Sequence, residues 1–591
     1  MAGGQSNVLV KAHGSPCTCK QAAAVQDRMQ SAVFHRSLWG DHFLAAAANT
    51  DLQENRAGDH ELGDYEVMKE EVRRMVTAGV DNDKDKVAII QKLELVDEIQ
   101  RLGVGYHFEA EIEEALGTVY VLGGESFVEK HSNNIELNHA ALWFRLLRQQ
   151  GFRVSPADGF RMFKDDEGKF KESLVSDEQG LLSLYEAAHV AFHGEDILDD
   201  ALGFTIKNLK SIILDHKPSS LFRKQAEFSL SLPIWKCIPR ILARHSIEVY
   251  SEFHSHASHD RAVILKFAKL DFNVVQKCHQ EELRELTMWW ASLETKTRFP
   301  YAKDRLAECY FWINGAYFEP KYRVGRLILA KCGAVSTLAD DVYDNFGKYQ
   351  ELQLLTDAID RADISDVESL PDTMKDIFQA IIINLFKEME QAVPETGPTY
   401  GVGYSIQEFK NMCRAFLAEA RWRTESHTPT LEAYLIDANV SGGYPFHCTA
   451  ALLGLPAEAA ATKEAFDWVT HKANKMVLAS SAICRLQNDI MSHHFERKRM
   501  HVASAVECFM VEHDVSDEVS ANFLWGEISK AWKDIAEEYC QRPTPVPIDV
   551  MSPTLNLARV ISVMYGKGDA YTHPHLLKEH IASLFAHPVP L

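Results

Sequence analysis

The chain has 591 residues, 46% of them apolar, and a net charge of −22 at pH 7. That length exceeds one ordinary hydrophobic core and implies two large domains, while the acidic balance excludes a protein that gathers Lys and Arg to neutralise a nucleic-acid backbone. No stretch approaches the roughly 18 to 20 uninterrupted apolar residues of a membrane span, and the 11 cysteines, scattered through apolar helical patterns, read as buried reduced thiols with no disulfides.

In chain order, residues 1–36 hold a single carboxylate, Asp27, beside Lys11, Lys20, Arg28 and Arg36. They read as a disordered tail, in which Cys17, Cys19 and His13 receive no role. A cytoplasmic protein is expected, with an organellar transit peptide the weaker alternative. Ser37–Leu44 mixes Trp39 and Phe43 with polar residues, as an arm laid along a helical body would. From Asp59 to about Arg244 apolar residues recur at three and four, as in Ile89, Leu93, Val96, Ile99 and Leu102, so this half is helical. Leu232–Arg240 places two prolines around Trp235, and the domain junction is set just after it, near residue 245, dividing 37–245 from 246–591.

The second half is again helical, with helices expected over Lys269–Trp290, Arg305–Phe318, Arg323–Gln350, Asp372–Gln391, Ile406–Arg423, Leu431–Leu455, Lys463–Arg499 and Ser516–Gln541. Loops are expected over Glu395–Gly403 and Gln541–Pro553, which are rich in Pro, Gly or Thr. His254, His256 and His259 cluster locally, but no spaced Cys or carboxylate completes a metal site.

Two stretches carry chemistry. Asp340, Asp341 and Asp344 set three carboxylates within five residues at the end of an apolar helical run. On a helix Asp340 and Asp344 share a face one turn apart, so their oxygens converge, and hard oxygen ligands suit Mg²⁺. Downstream, Asn488, Ser492 and Glu496 repeat every fourth residue and stack an amide, a hydroxyl and a carboxylate along one face, a ligand set for further Mg²⁺.

Asp340-Asp341-Val342-Tyr343-Asp344 resembles the DDxxD motif of class I terpene synthases, and Asn488-Asp489-Ile490-Met491-Ser492-His493-His494-Phe495-Glu496 resembles their NSE/DTE motif. Ser37–Leu44, Leu232–Arg240, Phe299–Pro320 and Asp569–Pro574 extend the similarity to plant sesquiterpene synthases over nearly the whole chain. The resemblance implies an all-α protein: a C-terminal class I α-barrel and an N-terminal relic helical domain, silent here because no DxDD string occurs. It also implies three Mg²⁺, with Mn²⁺ an alternative, held by Asp340 and Asp344 on one side and by Asn488, Ser492 and Glu496 on the other. Asp341 is expected to orient those ligands or pair with a cation.

By the same resemblance Arg485 binds diphosphate, and Lys303-Asp304-Arg305 stands where the family has RxR. Lys303 keeps the charge but loses the bidentate fork, so Arg305 is the stronger of the two. Trp312, Tyr571 and Tyr565 correspond to cavity aromatics whose π faces stabilise a carbocation. Asp569 is a candidate for proton transfer or for loop capping, and Ser441-Gly442-Gly443-Tyr444 reads as a helix break beside the cavity.

The function implied is a sesquiterpene synthase that ionises farnesyl diphosphate, acting as a monomer with no macromolecular partner. The missing tandem arginine before Trp39, where Met29 and Gln30 stand, makes a monoterpene synthase on geranyl diphosphate the alternative. A rival of another class is a catalytically inactive helical scaffold.

Overall fold

The computed structural model describes residues 37–44, 58–79, 86–123, 127–130, 135–214, 220–253, 258–394, 397–456, 461–497 and 502–591. Among these the chain is helical throughout and forms two helical domains, and the lone β contact is an isolated bridge between Lys164 and Phe170. The tail and its cysteines, and also His254 and His256, lie outside the described residues. His259 is exposed and lies 3.2 Å from Glu71 Oε1.

Local rules account for the helices. Lys86–Arg101 turns Ile89, Leu93, Val96 and Ile99 inward, the set that the three-and-four spacing marks. Several helices begin at a side-chain oxygen that accepts from a free backbone N–H, as at Asp177, Ser258, Thr430, Asn474 and Ser516. No helix among the described residues is long and apolar enough to cross a membrane, and all the described cysteines are free thiols.

The two halves are locked together by buried polar groups. Asp271, on His259–Ser292, is 1% exposed. Its Oδ1 accepts from the Tyr65 and Tyr106 hydroxyls at 2.8 and 2.7 Å and lies 2.8 Å from His107 Nε2, so one C-terminal carboxylate is satisfied by three N-terminal side chains. Trp235 is buried, and Arg559 donates to its carbonyl at 2.8 Å. Pro233 precedes a 3₁₀ turn at Ile234–Lys236, and Pro239 opens the helix Pro239–Phe253, where a missing N–H costs nothing. Residue 245 lies inside that helix. Ser37, Trp39 and Phe43 of the N-terminal arm line one groove with Trp290, Thr295, Asp304 and Leu306 of the second half.

Several expected elements differ, among them Leu431–Leu455, which is two helices, Leu431–Ser441 and Tyr444–Ala451. Arg323–Gln350 is not one helix: it is α-helical over Arg323–Asp341, widens to a π-helical turn at Val342–Phe346 and stops at Gly347. There the backbone is extended, and a Cβ would lie 2.3 Å from Leu352 Cδ2, so any larger residue must displace that leucine at the turn into Tyr349–Arg361. Asp372–Gln391 contains a second π-helical stretch at Ile382–Lys387. Lys463–Arg499 is two helices, Lys463–Val469 and Lys475–Glu496, because Asn474 caps the second through Val477 N at 3.0 Å. The loop expected to run to Pro553 ends earlier: a helix covers Ile548–Met564 and tolerates Pro553 near its start.

Candidate functional site

The aspartate helix, Arg323–Asp341, and the long helix Lys475–Glu496 present their polar ends to one cavity of ≈210 Å³. Its polar wall carries Lys303, Asp340, Asp344, Asn345, Arg485, Asn488 and Glu496. Its apolar wall carries Trp312, Met412, Phe416, Tyr444, Leu557, Tyr565 and Tyr571. The Trp312 ring meets Tyr444, Tyr565 and Tyr571 edge-on at 6.5, 6.2 and 5.8 Å, so four aromatics form one cluster.

The aspartates divide by environment. Asp340 and Asp344 reach the cavity, whereas Asp341 is 0% exposed and points away. Both oxygens of Asp341 are taken by Lys303, through the backbone N–H at 2.7 Å and Nζ at 2.6 Å. Lys303 Nζ also lies 3.6 Å from Asp340. Desolvation alone would lower that ammonium, but Asp341 and Asp340 carry it above the ordinary lysine range. Asp344 is pushed up to about 7, first by desolvation and then by the neighbouring Asp340 charge. A cation bound beside them would relieve the repulsion that raises Asp344.

Opposite them, Asn488 and Glu496 lie on the cavity wall, with Ser492 between them on the same helix face. Ser492 is 1% exposed and its Oγ has no hydrogen-bond partner among the described residues. Arg485 bonds to Asn488 Oδ1 and, at 2.7 Å, to Asp489 Oδ1. Asp489 is structural: its Oδ2 accepts from Tyr434 and from Ala505 N, each at 2.8 Å. It thereby ties three helices together and fixes the helix register that aims Asn488 and Glu496.

Residues 291–534 match the terpene synthase family's metal binding domain, and residues 38–230 match its N-terminal domain. The chain belongs to the terpene synthase family. It is 44% identical over 562 residues to the (-)-germacrene D synthase of Vitis vinifera, covering 94% of this chain and 95% of that protein. It is 40% identical over 569 residues to sesquiterpene synthase 2 of Toona sinensis, covering 95% and 97%. The isoprene synthase from grey poplar leaves (Populus x canescens), solved with three Mg²⁺ ions and dimethylallyl-S-thiolodiphosphate, superimposes with a TM-score of 0.82 at 33% identity, covering 90% of this chain and 98% of that one.

The residues of this terpene synthase fit a divalent metal. Asp340 and Asp344 converge on the cavity, and Ser492 supplies a buried oxygen with nothing to bond, a group that costs stability unless a ligand meets it. Arg305, by contrast, is buried off the cavity wall. It donates to the carbonyls of Tyr571 at 2.9 Å and Thr572 at 3.4 Å, so it holds the C-terminal loop, and Lys303 is the member of the pair at the cavity. Asp569 Oδ1 accepts from Tyr571 N at 3.0 Å and Thr572 N at 2.9 Å, which caps the same loop, and the residue also borders the cavity. The Tyr571 hydroxyl is held by Thr337 Oγ1 at 2.5 Å and Cys309 Sγ at 3.0 Å.

Sequence patterns missed three neighbours of this terpene synthase's site. Arg423 donates to the carbonyls of Tyr343, at 2.9 Å, and Asp344, and so closes the π-helical turn. Glu419, beside Arg485, accepts from Ser441 at 2.6 Å and is pushed up to about 8, first by desolvation. His447 stands on the cavity wall. None belongs to a spaced motif; the fold sets His447 on the cavity wall and brings Glu419 and Arg423 to an adjoining pocket shared with Asp344, Arg485 and Glu496.

Proposed function

We propose that this terpene synthase is a Mg²⁺-dependent sesquiterpene synthase: it ionises farnesyl diphosphate, converts the allylic cation to a C15 terpene and releases diphosphate. The observation that carries the reading is one cavity that sets Asp340 and Asp344 with Asn488 and Glu496 beside an aromatic wall. Sesquiterpene synthase 2 and (-)-germacrene D synthase, similar over nearly their whole length, support the C15 class. Asp340 and Asp344 would hold metal on one side, and Asn488, Ser492 and Glu496 on the other; three Mg²⁺ follow by analogy with the poplar enzyme. When bound, the ions neutralise the diphosphate and stabilise it as a leaving group.

The chain's own groups do the rest. Arg485 offers a guanidinium to phosphate oxygens, and Asp489 keeps it aimed at the cavity. Lys303, held by Asp341, adds a fixed positive charge beside Asp340. Arg305 and Asp569 position the loop that carries Tyr571. Trp312, Tyr565 and Tyr571 face the cation and keep water from it.

Division at about residue 245 belongs to this reading and is supported by family matches ending at 230 and resuming at 291. A monomer in the cytoplasm completes it. The test is incubation of the purified protein with Mg²⁺ and either farnesyl or geranyl diphosphate, followed by gas chromatography. C15 hydrocarbon or alcohol from the farnesyl substrate is expected. Product from the geranyl substrate alone would move the enzyme to the monoterpene class.

A further inference from the structure

A reaction that ends in an olefin needs a base on the apolar side of the cavity, and the aromatic rings there have no basic lone pair. His447 stands among them. Its place is set by the helix break: Leu431–Ser441 stops, Gly443 adopts φ +78°, and a new helix runs over Tyr444–Ala451. The Gly443 carbonyl then lies 2.7 Å from His447 Nδ1. A carbonyl only accepts, so Nδ1 carries the hydrogen and the lone pair is on Nε2.

Nε2 has no hydrogen-bond partner among the described residues and faces the bare backbone of Gly333 on the aspartate helix. A methyl group built on Gly333 would stand 3.8 Å from it, and Gly333 and His447 line the same cavity. Desolvation pushes the imidazole down to about 4, so it is neutral near pH 7 and adds no positive charge to repel the cation. Weak basicity is no handicap, because a C–H bond next to a carbocation is a far stronger acid than imidazolium. The other basic groups on the wall, Asp340, Asp344 and Glu496, face the diphosphate end, and Asp569 is tied through Oδ1 to two backbone N–H groups of its own loop.

We propose that His447 Nε2 is the base that takes the last proton from the terpenyl cation. The C–H bond beside the cationic carbon breaks, its electron pair becomes the new C=C bond, and the proton forms an N–H bond on Nε2. The imidazolium then passes that proton to the diphosphate co-product and returns to the neutral form. This assignment rests on the proposed function and adds to it the residue that selects which olefin is made.

The experiment profiles products by gas chromatography, normalised to diphosphate released. With His447→Leu the main native olefin should fall at least fivefold as a share of product, replaced by isomeric olefins or a water-captured alcohol. With His447→Ala, added imidazole should restore the native ratio and pyrrole, the same ring without a basic lone pair, should not. The assignment is overturned if His447→Leu keeps the native distribution, or if imidazole does no better than pyrrole. Failure of the native protein to release diphosphate from any prenyl diphosphate would instead refute the functional reading.

Discussion

The pair Lys303 and Asp341 offers a sharp prediction, because it is buried and next to the cavity-facing aspartates. Lys303 is 9% exposed, and its Nζ stands 2.6 Å from one Asp341 oxygen while its backbone N–H takes the other. At an effective dielectric of about 20, unit charges that close attract by about 6 kcal/mol before desolvation is subtracted. Removing one member of such a pair costs about 3–5 kcal/mol, because the other stays buried without its partner. Asp341→Asn should fall near about 3, since Lys303 can still turn to Asp340, 3.6 Å away. That turn draws Asp340 toward the lysine, so the Mg²⁺ concentration for half-maximal diphosphate release should rise. Lys303→Met should cost a similar amount. The double variant, which leaves a neutral side chain against a neutral amide, should recover about 2 kcal/mol relative to the sum of the singles. Urea denaturation followed by tryptophan fluorescence measures the cycle. Additive singles, with coupling below about 0.5 kcal/mol, would refute the claim that these two groups act as one unit.

Metal affinity should strengthen with pH. Asp344 lies at about 7 and Glu419 at about 8, both raised first by desolvation, so each holds a proton below its value and the proton competes with metal or adds to the local positive charge. Half-saturation by Mg²⁺, titrated at pH 6, 7 and 8, should therefore shift to lower concentration as pH rises, and Asp344→Asn should flatten the trend. Ser492→Ala should raise the Mg²⁺ requirement about tenfold, a ligand-sized effect, yet stabilise the metal-free protein by about 1 kcal/mol, because it deletes a buried hydroxyl with no partner; urea midpoints with and without Mg²⁺ should move in opposite directions. Arg423→Ala should lower diphosphate release with little change in overall unfolding, since it frees the carbonyls of the turn that holds Asp344. Gly347→Ala should cost about 1–3 kcal/mol, because the new Cβ meets Leu352 and both must shift.

Much of this was legible in the text of the chain. Three-and-four spacing set the helical class, since burial of one face imposes that period, and Ile89, Leu93, Val96 and Ile99 are buried as it requires. The carboxylates of Asp340 and Asp344 and the stack Asn488, Ser492 and Glu496 were visible as oxygen-bearing side chains at helical spacing, and the fold sets Asp340, Asp344, Asn488 and Glu496 on one cavity. The π-helical turn after Asp341 was not visible, because it depends on Arg423 reaching back from another helix and on the tight contact at Gly347. The relative placing of Lys303 and Arg305 was also hidden. Their spacing is the same in any conformation, whereas the structure commits Arg305 to the carbonyls of the 571–572 loop and leaves the lysine at the cavity. His447 carried no spacing signal at all: its tautomer follows from Gly443 in a left-handed conformation, a property of the folded backbone.

On the proposed function, the aspartate helix and the helix Lys475–Glu496 together hold the metal that ionises a prenyl diphosphate. Diphosphate release from farnesyl diphosphate, followed while Mg²⁺ is titrated into the chelator-treated protein, tests it most directly. No release is expected without metal, saturable release with it, and loss of release both in Asp340→Ala and in the double variant Asn488→Ala with Glu496→Gln. Release that persists in the chelated protein, or that survives either variant unchanged, would contradict it.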